Sequence, residues 1–406
     1  MKNNRVLHII LRFLGPGFLI TIGFIDPGNW ATNIAGGAEF GYSLLWVITV
    51  STLMLILVQG MAARLGIATG KSLAVNIKEN FPKGTSTLIG VTIVTACAAT
   101  DIAELVGSAI GFKLLFGLPL GIGAAVTVVL EVFFIITQRY HRLEKFIIAF
   151  LGIISMCYLI EIFIVKPNWT EVIPPMILPN INSNNIYIIM GILGAVVMPH
   201  NIFLHSNIIH SRQWGRTEEE KQSLIKYEKL DTSIAMWVGW AVNSSMIIVA
   251  ASVFFKNGIK VDSIQQAAAT LTPLAGHLSS TLFAVALVFA GISSSITSSM
   301  AEINVITGFL GKPEDPSTTL YRLSAVVTAI PSFVVILLGI DTFKLLVFSQ
   351  VILSVQLPFT LIPLLILCRK REVMGNLRSN ATEFSLAIVV SMLVTALNIY
   401  LVKSVL

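Results

Sequence analysis

Charge is what this chain lacks most. Only 12% of its 406 residues are Asp, Glu, Lys or Arg, about half the share carried by a soluble domain. So few charged groups cannot cover a water-exposed surface, and a soluble globular architecture is excluded. Cysteine is scarce as well. Cys97, Cys157 and Cys368 lie in or beside apolar runs with no CxxC spacing, so neither a disulfide framework nor a thiolate metal site fits. The short alternating segments of a membrane β-barrel are missing, and so is the HExxH pattern of a metallo-hydrolase. The net charge of +6 does not mark a nucleic-acid binder, because the basic residues are dispersed over short loops and form no basic patch.

Apolar stretches of about 20 residues fill the rest, each able to cross roughly 30 Å of hydrocarbon. They predict an all-α integral membrane protein, one transmembrane domain embedded in a lipid bilayer. About eleven spans are expected, near 12–35, 42–66, 86–112, 116–138, 146–166, 187–212, 228–256, 278–310, 318–340, 343–369 and 383–403. With the N-terminus inside, 21 of the 27 Lys and Arg residues fall on the inner side. The outer side keeps Lys113, Lys166, Lys256, Lys260, Lys344 and Lys403. That bias predicts a cytoplasmic N-terminus and an extracellular C-terminus. Lys2, Arg5 and Arg12 precede the first span as in a signal peptide, but no small-residue cleavage site follows, so the span is expected to stay. The charged loop 213–230, "QWGRTEEEKQSLIKYEKL", is expected to form a short cytoplasmic helix with a solvated face. Brief termini and compact loops fit a prokaryotic plasma membrane.

Two spans are interrupted. Residues 21–33 read "TIGFIDPGNWATN" and residues 188–210 read "IIMGILGAVVMPHNIFLHSNIIH". Pro27 with Gly28, and Pro199, thus break the first and sixth spans at corresponding places, five spans apart. Proline removes a backbone donor and frees carbonyls, which hydrocarbon tolerates only where the backbone is buried in protein or lines a polar cavity. Either proline alone reads equally well as an ordinary kink. The pairing, with polar groups beside each break, points to a transporter's midplane binding site. Asp26 costs roughly 2.5–3.5 kcal/mol within a membrane and therefore needs a partner. Asn29 offers an amide oxygen, Met198 a thioether, and Ala195, one turn earlier, a freed carbonyl. An oxygen-only set would suit magnesium or calcium, whereas the sulfur favours softer transition ions. A membrane methionine is ordinarily core packing; Met198 stands out by preceding Pro199. His200 and His205 follow the break and suit proton handling more than ligation.

At these residues the chain resembles the Nramp family of proton-coupled divalent metal transporters. "DPGN" at 26–29 and "MPH" at 198–200 carry the likeness, with "GPGFL" at 15–19, "LGIATGKSL" at 65–73, "ATDIAELVGSAIG" at 99–111, "MPHNIFLHS" at 198–206 and "SQVILSVQLPF" at 349–359. The resemblance implies a LeuT-like 5+5 inverted repeat with discontinuous first and sixth helices: 12–166 against 187–369, with 383–403 as an extra span. It implies metal held by Asp26, Asn29, the Ala195 carbonyl and Met198, with Gln350 approaching in some states. Its proton route would use Asp101, Glu104, His200, His205 and Arg212. Asp101 and Glu104 lie three apart and share a helix face, which must turn inward. Arg212 reads either as their counter-charge or as a positive-inside residue. The chain departs from the family at "GISSSITSSMAEINVITGFLG", 291–311: Ile292 replaces a glutamine, Glu302 a customary glycine. Arg322 stands alone where many relatives show a pair.

The expected function is secondary active import of Mn2+ or Fe2+, with Cd2+ and Co2+ as further candidates, coupled to protons by alternating access. No bond is made or broken, so no enzyme is expected. Nor is a tightly bound cofactor, metal and proton being substrates, or an obligate protein partner. An Nramp-related magnesium transporter is the nearest alternative, against which Met198 speaks. A sodium-coupled amino-acid transporter of the same fold is another, but Asp26 would repel a substrate carboxylate.

Overall fold

Proline starts the helix that follows each interruption. In the computed structural model, which describes residues 15–137, 140–212, 217–275, 277–312, 318–319, 323, 329–338 and 340–405, α1 is Pro16–Gly23 and α2 is Pro27–Phe40. A 3-10 turn at Gly41–Leu44 leads into α3, Leu45–Thr69, and α4, Leu73–Asn80, follows. Then come α5 (Lys83–Phe116), α6 (Leu120–Thr137) and α7 (Tyr140–Val165). The second interruption separates α8, Ile186–Val196, from α9, Pro199–Ile208. The chain continues through α10 (Glu218–Val253), α11 (Ile264–Ala275), α12 (His277–Leu310) and α13 (Ala329–Leu337). It closes with α14 (Thr342–Arg369) and α15 (Ala381–Val405). No strand occurs among the described residues.

Eight helical stretches of the described residues are long and apolar enough to cross a membrane, and Leu120–Ile135 is a shorter apolar helix. One of the eight, Pro27–Thr69, takes in the later part of the expected first span and the whole second. Of the expected ninth span, 318–340, little beyond α13 is described, and Arg322 lies outside the described residues. Large apolar side chains such as Phe133, Phe163, Leu386 and Met392 are exposed, as on a lipid-facing surface.

Two sequence expectations need correction. The loop 213–230 does not hold a separate cytoplasmic helix: from Glu218 onward it is the start of α10, which runs 36 residues unbroken into the seventh span. The Thr217 hydroxyl and the Glu220 carboxylate form a capping box, and no breaker follows to stop the helix it starts. The segment between the seventh and eighth spans also carries a helix, α11, that the hydropathy pattern left as loop.

The broken helices sit inside the bundle. α2 packs on α10, α8 and α14, α8 packs on α14, and α9 on α3 and α12. The most extensive helix pair, α5 with α12, flanks them. Gly194 lets α8 and α14 touch: a Cβ there would fall 2.1 Å from the Gln350 carbonyl and 2.7 Å from the Ser354 amide.

Candidate functional site

The first interruption is held open by its own carboxylate. Asp26 is the N-cap of α2, with extended backbone (φ −83°, ψ 164°). Its Oδ2 accepts from the Gly28 amide at 3.0 Å and its Oδ1 from the Asn29 amide at 2.9 Å. The partner that an intramembrane carboxylate needs is thus first the N-terminus of the helix that Pro27 starts, where free N–H groups favour negative charge. Gln350, from α14, donates its Nε2 to Asp26 Oδ2 at 3.2 Å. Asn29 turns its amide nitrogen to the Phe24 carbonyl and to Asn243 Oδ1, both at 2.6 Å, while its Oδ1 accepts from Asn33 at 3.0 Å. The carbonyl freed by the break is therefore already satisfied on this side.

The second interruption is looser. Val197 leaves the helix (φ −96°, ψ 63°) and Met198 is an extended N-cap with no capping side-chain bond. The residue four beyond Ala195 is Pro199, which has no N–H to give the Ala195 carbonyl. Met198 Sδ receives a weak bond from Asn201 Nδ2 at 3.5 Å. Asn201 lies against the end of α1, its amide 2.7 Å from where a Cβ on Gly23 would stand, so it spans the two interruptions. Asp26, Asn29, Ala195, Met198, His200 and Gln350 are all fully buried. Gln350 touches both halves, its side chain on Asp26 and its carbonyl against Gly194. Its Oε1, both His200 nitrogens and Asn201 Oδ1 have no hydrogen-bond partner among the described residues.

The other expected residues are distributed around this centre. Asp101 and Glu104 are buried on α5, and Asp101 Oδ1 accepts from Ser298 at 2.7 Å. His205 sits between α3 and α10, its Nδ1 3.0 Å from Gln59 Oε1 and its Nε2 2.9 Å from Glu228 Oε1. Arg212 ends the 3-10 turn Ile209–Arg212, and its side chain lies outside what is described. Sequence reasoning missed Asn33, Asn243, Asn201, Gln59, Glu228 and Glu131. The usable signal was simple: an amide or carboxyl within an apolar helix must face the interior.

Among the described residues no three His, Cys, Asp or Glu side chains gather as a metal cluster. A cation held here would draw on one carboxylate and on amide, carbonyl and thioether donors.

Residues 17–404 match the profile of the Nramp family, described as natural resistance-associated macrophage protein-like. A divalent metal cation transporter MntH from Brucella suis is 40% identical over 402 residues, covering 97% of this chain and 88% of that protein. The Eremococcus coleocola manganese transporter, crystallised with an aromatic bis-isothiourea substituted compound, superposes with a TM-score of 0.88 at 27% identity, over 98% of this chain and 88% of that one. The nucleobase-cation-symport-1 family transporter Mhp1, in a closed conformation, is similar in fold alone, at TM-score 0.66 and 13% identity over 96% of this chain and 91% of that one.

Proposed function

The chain belongs to the Nramp family, and from that premise we propose that it imports divalent transition metal ions, Mn2+ or Fe2+, across the plasma membrane, together with protons. The observation that carries this reading is the convergence of two broken helices on Gln350, with a buried carboxylate at one break and a buried thioether at the other.

In this reading Asp26, Asn29, the Ala195 carbonyl, Met198 and Gln350 replace most of the ion's water. Asp26 is oriented by two backbone amides and the Gln350 side-chain amide, and in this reading its remaining lone pair takes the ion. The Met198 sulfur raises affinity for softer ions over Mg2+ and Ca2+, which prefer oxygen. Access alternates as two helix bundles, built from the five-span units 12–166 and 187–369, rock about the site. Protons would travel by Asp101, Glu104, His200, His205 and Arg212, drawing on a membrane potential worth about 2.3 kcal/mol per charge per 100 mV.

Metal flux into proteoliposomes, with competing ions and a pH-sensitive dye, tests the proposal. Asp26→Ala should abolish uptake. Met198→Ala should cost Mn2+ and Cd2+ uptake about tenfold, the size of a ~1.4 kcal/mol interaction, and relax discrimination against Ca2+ and Mg2+. Near-normal flux in Asp26→Ala would overturn the site, and unchanged selectivity in Met198→Ala the ligand set.

A further inference from the structure

Asp101 meets another carboxyl. Glu302 of α12, which stands where the family resemblance leads one to expect glycine, lies one helical turn beyond Ser298, whose hydroxyl bonds Asp101, and its charge acts on Asp101. Two neighbouring carboxyls in a water-poor interior resist ionising together, because like charges repel there, so the pair is suited to keeping a proton. Ser295, Ser298, Ser299 and Glu302 follow one another at helical spacing and form one face of α12. Ser298 donates to Asp101 Oδ1 at 2.7 Å, and the hydroxyls of Ser295 and Ser299 donate one to each oxygen of Glu131 on α6. Asp101, Glu131 and Glu302 are all buried.

An independent observation marks the same space. Glu104, one turn along α5, is 1% exposed, neighbours the Ser298 hydroxyl and feels the charges of Asp101, Asp26 and Glu131. Asp101 Oδ2 and Glu302 Oε2 have no hydrogen-bond partner among the described residues. Helices braced only for packing would not need four carboxyls, each costing roughly 2.5–3.5 kcal/mol in a membrane. Nor do the described residues place a Lys, Arg or His in a salt bridge with any of them. The described titratable groups acting on Glu302 or acted on by it are Asp101 and Cys97 of α5 and Glu131 of α6.

We infer that Glu302 holds a transported proton, sharing it with Asp101, and that the proton route leaves α5 for the serine-lined face of α12 and for Glu131. The transfer is a simple exchange: the O–H of one carboxylic acid passes its proton to the facing carboxylate, and acid and base trade places. The inference rests on the proton-coupled reading above.

Proteoliposomes carrying wild type, Glu302→Gln or Glu302→Asp, with metal- and proton-sensitive dyes read together across external pH, provide the test. Glu302→Gln should move fewer protons per metal ion and lose the acid stimulation of uptake. Glu302→Asp, which keeps a carboxyl, should recover both. A Glu302→Gln protein with the wild-type ratio and pH profile overturns the inference. If that variant does not fold, Glu131→Gln is read in the same way, with the wild-type ratio and profile again overturning it. Metal uptake by wild type without proton movement would instead overturn the proton-coupled reading, and with it this extension.

Discussion

Gly28→Ala separates the geometry of the site from its stability. A Cβ at position 28 would stand 1.8 Å from Gln350 Nε2, 2.7 Å from its Cδ and 2.9 Å from Asp26 Oδ2. The first two atoms belong to the end of a flexible side chain, so Gln350 will swing away before the backbone yields. Strain is then relieved, but the 3.2 Å bond from Gln350 to Asp26 is lost, and with it the glutamine's hold on the carboxylate. Hydrogen bonds to charged groups are worth about 1.5–3 kcal/mol, so the apparent metal KM should rise roughly 10–150-fold. Thermal stability in detergent should change little. Were the backbone to move instead, overpacking would cost about 1–3 kcal/mol and appear as a lowered Tm. Gln350→Ala should give a similar KM, and the double variant should be no worse than Gln350→Ala alone, because both remove one interaction. Wild-type KM in Gly28→Ala, or two effects that add, would refute the reasoning.

Two further outcomes follow from residues that hold the site from behind. Asn243→Ala removes the acceptor that fixes the Asn29 amide, worth about 0.5–1.5 kcal/mol; metal flux should fall severalfold while the protein still folds, and undiminished flux would show that the Phe24 carbonyl alone positions Asn29. Asp231→Ala leaves the Gly15 and Gly17 amides without the carboxylate that accepts from both, at 3.1 and 2.7 Å; hydrogen exchange should quicken over Pro16–Gly23 relative to α10, and unchanged exchange would refute the anchor.

The interruptions were legible because proline acts locally. Pro27 and Pro199 each occupy the first position of a helix in the structure, as their missing N–H and fixed φ require. That Asp26 needs a buried partner was legible, but which partner it meets first was not. Charge-burial reasoning looked for a cation, whereas the chain supplies the amides of Gly28 and Asn29. The capping box at Thr217 and Glu220 could have extended the seventh span from sequence, but charge density drew attention to the loop instead. Long-range partners stayed hidden for a different reason. Asn243 is 214 residues from Asn29, and Gln59 is 146 from His205. An amide in an apolar run says that it faces inward and nothing about which helix it meets. Gln350 was named through family resemblance alone; its own surroundings, "FSQVILS", would have marked only another buried amide.

The two breaks differ in how far they are satisfied, and that difference bears on mechanism. At the first, Asp26 accepts from three donors, the Phe24 carbonyl accepts from Asn29, and Asn29 Oδ1 accepts from Asn33. Little there is left to gain from rearrangement. At the second, the Ala195 carbonyl faces a proline in place of its donor, and Met198 sulfur takes one weak bond. Both His200 nitrogens and Asn201 Oδ1 are unbonded among the described residues. A buried polar group without a partner costs about 1–3 kcal/mol, so several such groups together form a reserve that an arriving partner releases. In the proposed function the first break would therefore be the rigid wall that sets where an ion sits. The second, on α8 and α9, would be the wall whose free energy changes most when an ion arrives, and so the one suited to couple occupancy to movement.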